Sequence, residues 1–201
     1  MNARTMIWAR SAAFAAAALT AASAFAGESE GPRYTYVELG YERVNPDHID
    51  DDLNAGSVNG SLAVTDHVHL FAGYSYGEVD TAGTTLDVQS AEGGAGLNFP
   101  LTKKVDVVAD AAYLWSKVHA DRFGSADDNG YGLSLGLRAM VTPKLELNGG
   151  ASFSDTSGTE WSGYVGAAYN FTRVFAVTVD VAAGQDATSY GAGLRFYLGG
   201  K

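Results

Sequence analysis

The 201-residue chain has no cysteine, which excludes both a disulfide framework and a thiolate metal site. Proline is scarce, at four residues, so little of the chain is barred from regular pairing. Beyond the first residues no apolar run approaches the roughly 18 that a transmembrane helix needs. Positive charge is also in short supply: 13 Lys plus Arg face 23 Asp plus Glu, a net charge of −10. Such a chain repels a phosphate backbone, and nucleic acid is not an expected partner.

What is present begins with an export signal. Arg4 and Arg10 precede the alanine-rich stretch Ser11 to Thr20, and Ala24, Phe25 and Ala26 offer the small-x-small pattern of signal peptidase. The expected division is a cleaved signal over 1–26, a short periplasmic segment over 27–33, a folded domain over 34–198 and a tail over 199–201.

The folded domain has a period of two. From Tyr131 to Val141 the odd positions are Tyr, Leu, Leu, Leu, Ala and Val, while Gly132, Ser134, Gly136 and Arg138 lie between them; this is one apolar and one small or polar face. The same alternation runs from Val105 to Trp115, with Asp106, Asp110 and Ser116 opposite the apolar set and with Val108 and Leu114 as exceptions. Carried along the chain, it predicts strands at 34–44, 54–64, 68–79, 85–99, 105–118, 128–141, 145–155, 159–171, 174–185 and 188–198. Eight strands is the alternative. In the fourth strand Leu86 and Val88 are out of phase with Ala91, Ala95, Leu97 and Phe99, which predicts a bulge.

The connections come in two kinds. Short threonine turns occur at Thr65-Asp66-His67, Thr102-Lys103-Lys104, Thr142-Pro143-Lys144 and Thr172-Arg173, and between them lie acidic stretches such as Asn45 to Leu53 and Ala120 to Asp127. Aromatics gather in two belts: Tyr41, Tyr74, Tyr76, Tyr113, Trp115, Tyr131, Phe153 and Trp161 toward the loops, and Phe99, Tyr169, Phe171, Phe175 and Phe196 toward the turns. Mean hydropathy stays near zero, at −0.05, because only alternate residues of a barrel wall meet lipid. Together these features predict an all-β fold, a transmembrane antiparallel up-and-down barrel of about ten strands. Its threonine turns lie in the periplasm and its acidic loops outside the cell, in the bacterial outer membrane. Ser189, Gly191, Leu194 and Phe196 fit the terminal-strand assembly signal of such barrels.

Three stretches carry a family resemblance: Tyr34, Tyr36, Val37, Glu38, Gly40 and Tyr41; Val58, Asn59, Gly60 and Ser61; and His69, Phe71, Gly73, Tyr74 and Ser75. Here the chain resembles small Xanthomonas-type outer-membrane proteins, porin-like barrels once proposed as activators of a rice immune receptor. The resemblance implies secretion into the outer membrane and its vesicles, and no enzyme activity.

Inward charges are the first candidate site. Glu38, Glu42, Glu92, Asp110, Arg138, Glu146, Asp180 and Arg195 fall on the polar face, where charges need partners. The expected pairs are Arg138 with Glu146, and Arg195 with Asp180 or with Glu38 across the closing seam. The two arginines are long enough to reach across part of the interior, while Gly132, Ser134 and Gly136 leave space on the wall. The acidic cluster Asp47, Asp50, Asp51 and Asp52, with Asp127 and Asp128 on another loop, offers oxygen ligands for a divalent cation or a bridge to lipopolysaccharide, but its spacing is not that of an EF-hand. His67 and His69 share a strand face without an evident third ligand. For hydrolysis, His119 with Asp121 would be base and orienter, and Ser116 or Ser125 the nucleophile.

The function expected from these residues is a structural or surface-interaction barrel filled by inward charges. A narrow channel for ions or small solutes is the alternative, and an outer-membrane hydrolase the third class. No cofactor is expected. The expected partners are outer-membrane lipids and lipopolysaccharide, with periplasmic chaperones and the barrel-assembly machinery during biogenesis, and the barrel is expected to be a monomer.

Overall fold

The computed structural model describes residues 31–47, 51–81, 84–120, 124–156 and 158–198; the export signal and the tail lie outside them. Ten strands follow one another: β1 (Tyr36–Pro46), β2 (Leu53–Ala63), β3 (Val68–Thr81), β4 (Thr84–Thr102), β5 (Val105–Ala120), β6 (Gly124–Met140), β7 (Leu145–Asp155), β8 (Thr159–Asn170), β9 (Phe175–Gly184) and β10 (Ala187–Tyr197). Each is antiparallel to its neighbours in sequence, and β1 pairs with β10 from Tyr36↔Tyr197 to Pro46↔Ala187, which closes the barrel. The first strand begins at Tyr36, two residues later than the sequence pattern predicts.

Alternation decides what faces where. On β6 the odd positions Leu133, Leu135 and Leu137 are exposed on the outer wall, with 60 % of Leu135 uncovered, while Ser134 and Arg138 are buried inside. So large an apolar outer surface, reaching around the wall through Leu39, Leu62, Leu97, Val165, Val179 and Leu194, would be costly in water and is satisfied by lipid. Part of each aromatic belt forms a chain of ring contacts. Tyr131, Phe153 and Trp161 follow one another at centroid distances of 6.0 and 5.1 Å, and Tyr169, Phe171, Phe175 and Phe196 at 4.9, 5.8 and 5.5 Å.

The threonines explain the tight turns. Thr65 Oγ1 accepts from the backbone N–H of His67 and Val68 at 3.2 and 3.0 Å. Thr142 does the same for Lys144 and Leu145, and Thr172 for Val174 and Phe175. The hydroxyl thus supplies the acceptor that a tight chain reversal leaves its amides without.

The bulge expected in the fourth strand is not there. Pairing of β4 with β5 is unbroken from Leu86↔Ala120 to Pro100↔Asp106, and the register shifts only between Pro100 and Thr102, where proline has no N–H to give the ladder. Leu86 and Val88 therefore keep phase with Glu92 and point into the barrel.

The wall is uneven in height. β3 to β6 run for 14, 19, 16 and 17 residues, against 10 to 12 for the other strands. The added length lies at the loop end. There the outward positions change from apolar residues to Glu78, Asp87, Gln89, Lys117, His119, Asp127 and Asn129, so this part of the wall stands above the lipid.

Candidate functional site

The lumen is filled in three layers of different chemistry. At the turn end, Tyr34 is the centrepiece. Its side chain leaves the chain just before β1 and reaches the far wall, where its hydroxyl donates to Asp106 Oδ2 on β5 at 2.8 Å. Its ring stacks on His69 of β3 at 5.0 Å and lies 5.0 Å from the Arg138 guanidinium of β6. His69 Nε2 is 3.1 Å from Asp110 Oδ1, and Ser134 donates to the other oxygen of Asp110 at 3.2 Å.

Two buried ion pairs flank this layer. Arg138 donates from Nε to Glu146 Oε1 at 2.7 Å and makes a second bond to the same oxygen. Arg195 donates to Glu38 Oε2 at 2.5 Å across the β1–β10 seam, with its guanidinium 4.2 Å over the Tyr36 ring. Arg33 closes the mouth beneath: it lies 3.4 Å over the Tyr197 ring and donates to the Arg173 carbonyl and to Asn170 Oδ1. Partial burial lowers Arg33 from its ordinary value.

The arginines take the expected partners, Glu146 and Glu38, rather than carboxylates on the opposite wall, and Arg138 Nη1 also donates to the Arg33 carbonyl at 3.4 Å. Glu38 is the direct register partner of Arg195, and Glu146 lies on β7 beside Arg138, because a guanidinium keeps bidentate or near-linear geometry most easily with a neighbouring strand. Tyr34 does the crossing instead. Of the small wall residues, Gly136 leaves no space, since a Cβ there would collide with the Tyr164 hydroxyl, whereas Gly132 lines a small void.

The middle layer is acidic. Glu42 is opposite Gly191, which in turn is opposite Asp180, so the two carboxylates share a row with a glycine between them. Glu92 and Asp110 line a small void with Ala112, Leu114, Gly132 and Ser152. Among the described residues Glu42 Oε1, Asn148 Oδ1 and Thr178 Oγ1 of this layer are buried without a hydrogen-bond partner in the protein, as are His69 Nδ1 and Asp110 Oδ1 of the layer below.

The loop-end layer is aliphatic. Val44, Leu53, Val79, Leu86, Val88, Ala120 and Ala187 form one buried cluster, with Val118 packed against it. These side chains share the inward face with the charges below them and line the mouth along β1–β5 and β10.

All eight predicted charges are therefore on the lumen side. Six are deeply buried, and Glu92 and Asp180 are partly covered. Sequence reasoning missed Tyr34, Tyr36, Tyr197, His69 and Asp106 as one assembly, although Tyr36 lies two positions before Glu38 and Tyr197 two after Arg195. His69 is buried and His67 is exposed, so the two do not form a pair.

At the outer loops, Asp52 accepts from Arg43 and Asn45, Asp47 and Asp51 are exposed, and Asp50 lies outside the described residues. Among the described residues no group of three or more His, Cys, Asp or Glu is arranged to hold a metal. Ser116 and His119 sit on opposite faces of β5. Ser125 is the register partner of His119, and Asp121 lies outside the described residues.

A closed sheet with a lipid-facing apolar exterior and a packed polar interior defines a membrane-spanning β-barrel. The chain belongs to the outer membrane protein beta-barrel domain family, whose model matches residues 12–159. Among solved structures, the NanC porin is 10 % identical, with a TM-score of 0.53 over 81 % of this chain and 100 % of that one. Neisserial surface protein A is 13 % identical, with a TM-score of 0.46 over 82 % and 96 %. Ail of Yersinia pestis, in complex with sucrose octasulfate, is 15 % identical, with a TM-score of 0.45 over 81 % and 97 %. At these identities the likeness is one of fold. No curated protein sequence matches the chain.

Proposed function

We propose that this outer-membrane barrel has a structural and surface-interaction role and that its lumen is closed to solutes. The observation that carries this reading is the filling of both ends by independent means: the Tyr34-centred ionic layer at the turns and the aliphatic cluster along β1–β5 and β10 at the loops. An apolar constriction excludes ions by dewetting even where no side chain blocks the way sterically. The acidic middle layer is what favours the second reading, a narrow cation path, which needs both ends to open.

On the closed reading the aromatic rims contact outer-membrane lipid and lipopolysaccharide, the barrel is a monomer, and periplasmic chaperones with the assembly machinery deliver it after cleavage of the export signal. The resemblance to Xanthomonas-type surface proteins supports a role outside the cell and in vesicles. No catalytic role is proposed for His119, Ser116 or Ser125. The test is planar-bilayer conductance of the refolded protein, with and without a lipopolysaccharide leaflet. A flat baseline is expected; steady conductance at the nanosiemens level would replace this reading with the channel.

A further inference from the structure

The uneven height of the wall leaves one strand half paired. β6 pairs with β5 along its whole length, from Val105↔Ala139 to Ala120↔Gly124, but its pairing with β7 begins only at Tyr131↔Asp155. Residues 124–130 are thus the longest open edge among the described residues, against three residues at the ends of β3 and β8. The chain turns away from β7 at Gly130, where a Cβ would stand 2.6 Å from Thr156 Cα. That corner covers Gly130, and the edge opens from Asn129 back to Gly124.

The direction of the backbone groups follows from the turn. Met140 N–H bonds to the Lys104 carbonyl on the β5 side, and Val141 N–H to the Leu145 carbonyl on the β7 side. Because these directions alternate along a strand, Ser125, Asp127 and Asn129 aim their N–H and C=O groups at the open edge. Asn129 N–H is held by Asp128 Oδ1 at 3.0 Å. Ser125 and Asp127 present theirs to solvent among the described residues, which is the pattern that recruits an added strand.

We propose that residues 124–129 form a docking edge for an extended basic segment of another protein, which pairs beside β6 as an additional strand. The proposal rests on the surface-interaction reading above. Charge selects the occupant. Asp127 lies on the outward side of the edge, with Lys117 of β5 as its register partner, and Asp128 on the inward side beside the uncharged Ser116, so an incoming strand with Lys or Arg at successive positions shares Asp127 with Lys117 and meets Asp128 without a competing cation on β5. A second copy of this edge brings the same aspartates against each other and is repelled. Lipid is excluded because the outward neighbours at this height are Lys117 and His119, and unpaired backbone groups are not tolerated in hydrocarbon.

The experiment uses the full-length barrel refolded in lipid nanodiscs, with a synthetic valine-rich peptide carrying lysine at successive positions as probe and the same peptide with glutamate for lysine as control. Hydrogen exchange at the Ser125 and Asp127 amides is expected to slow about tenfold with the lysine peptide and not with the control. Asp127→Pro removes an edge N–H that β5 does not use and should abolish the protection while leaving the barrel folded. Asp127→Asn combined with Asp128→Asn, which keeps every backbone group, should weaken it. Absence of protection, equal protection by the acidic peptide, or protection that survives Asp127→Pro overturns the proposal. Steady conductance of the native barrel would refute the closed-lumen reading without altering the exchange result. Peptide bound with the edge amides unprotected would overturn the docking edge alone.

Discussion

The two ends of the lumen are filled by opposite chemistries. At the turn end, a tyrosine, two arginines and their carboxylates hold one another in fixed geometry: Tyr34 depends on Asp106, and Arg138 on Glu146. At the loop end, Val44, Leu53, Leu86 and Val88 simply fill space. The difference teaches how each filling fails. Removing one member of the ionic layer strands a buried charge, whereas removing one aliphatic side chain leaves a void that neighbours can partly fill.

The sharpest way to break this comparison is Arg138→Ala together with Arg195→Ala. Each change abandons a buried carboxylate, and a loss of about 3–5 kcal/mol per pair is expected in urea refolding titrations. Conductance should nevertheless stay low, because the aliphatic layer is untouched; an open pore in this variant would show that the loop-end seal is nominal. Leu53→Ala probes the other end, with an expected cost of about 2–5 kcal/mol that depends on how far the cluster collapses. Tyr34→Phe keeps the ring stack and removes only the donor to Asp106, which should cost about 1–3 kcal/mol. A midpoint identical to that of the native barrel would mean that Asp106 has found another donor. The smallest effect belongs to Asp52→Ala, outside both layers: its partner Arg43 is 57 % exposed, and less than about 1 kcal/mol is expected.

The same comparison explains what was legible in the sequence. Strand number, turn positions and the inward charges follow from a period of two and from threonine-bearing turns, both of which are local. The fill of the two ends is not local. Leu86 and Val88 looked like a break of phase because alternation alone equates apolar with lipid-facing, and it cannot separate a leucine that meets lipid from one that meets Leu53 inside the mouth. Tyr34 and Asp106 are 72 residues apart, and nothing in either strand's own pattern says that one side chain crosses to the other wall. The arginine pairs were legible, because Glu146 and Glu38 lie on the strands next to Arg138 and Arg195, but which groups those side chains would meet on the opposite wall was not. The open edge on β6 was hidden as well, since it arises from the difference in height between β6 and β7.

The seam between β1 and β10 has a consequence in time. Every other strand pairing joins neighbours in sequence, and each such hairpin can form early over a short loop. The seam joins Glu38 to Arg195, 157 residues apart, and it cannot form until the last strand is in hand. Loop-closure entropy is largest for that step, and contacts of long sequence separation slow folding. Until then both terminal strands carry unpaired backbone that lipid does not tolerate. Closure is therefore the slow, committing event of assembly, and the ion pair at the seam forms among the last contacts and acts on the rate of reopening more than on the rate of folding.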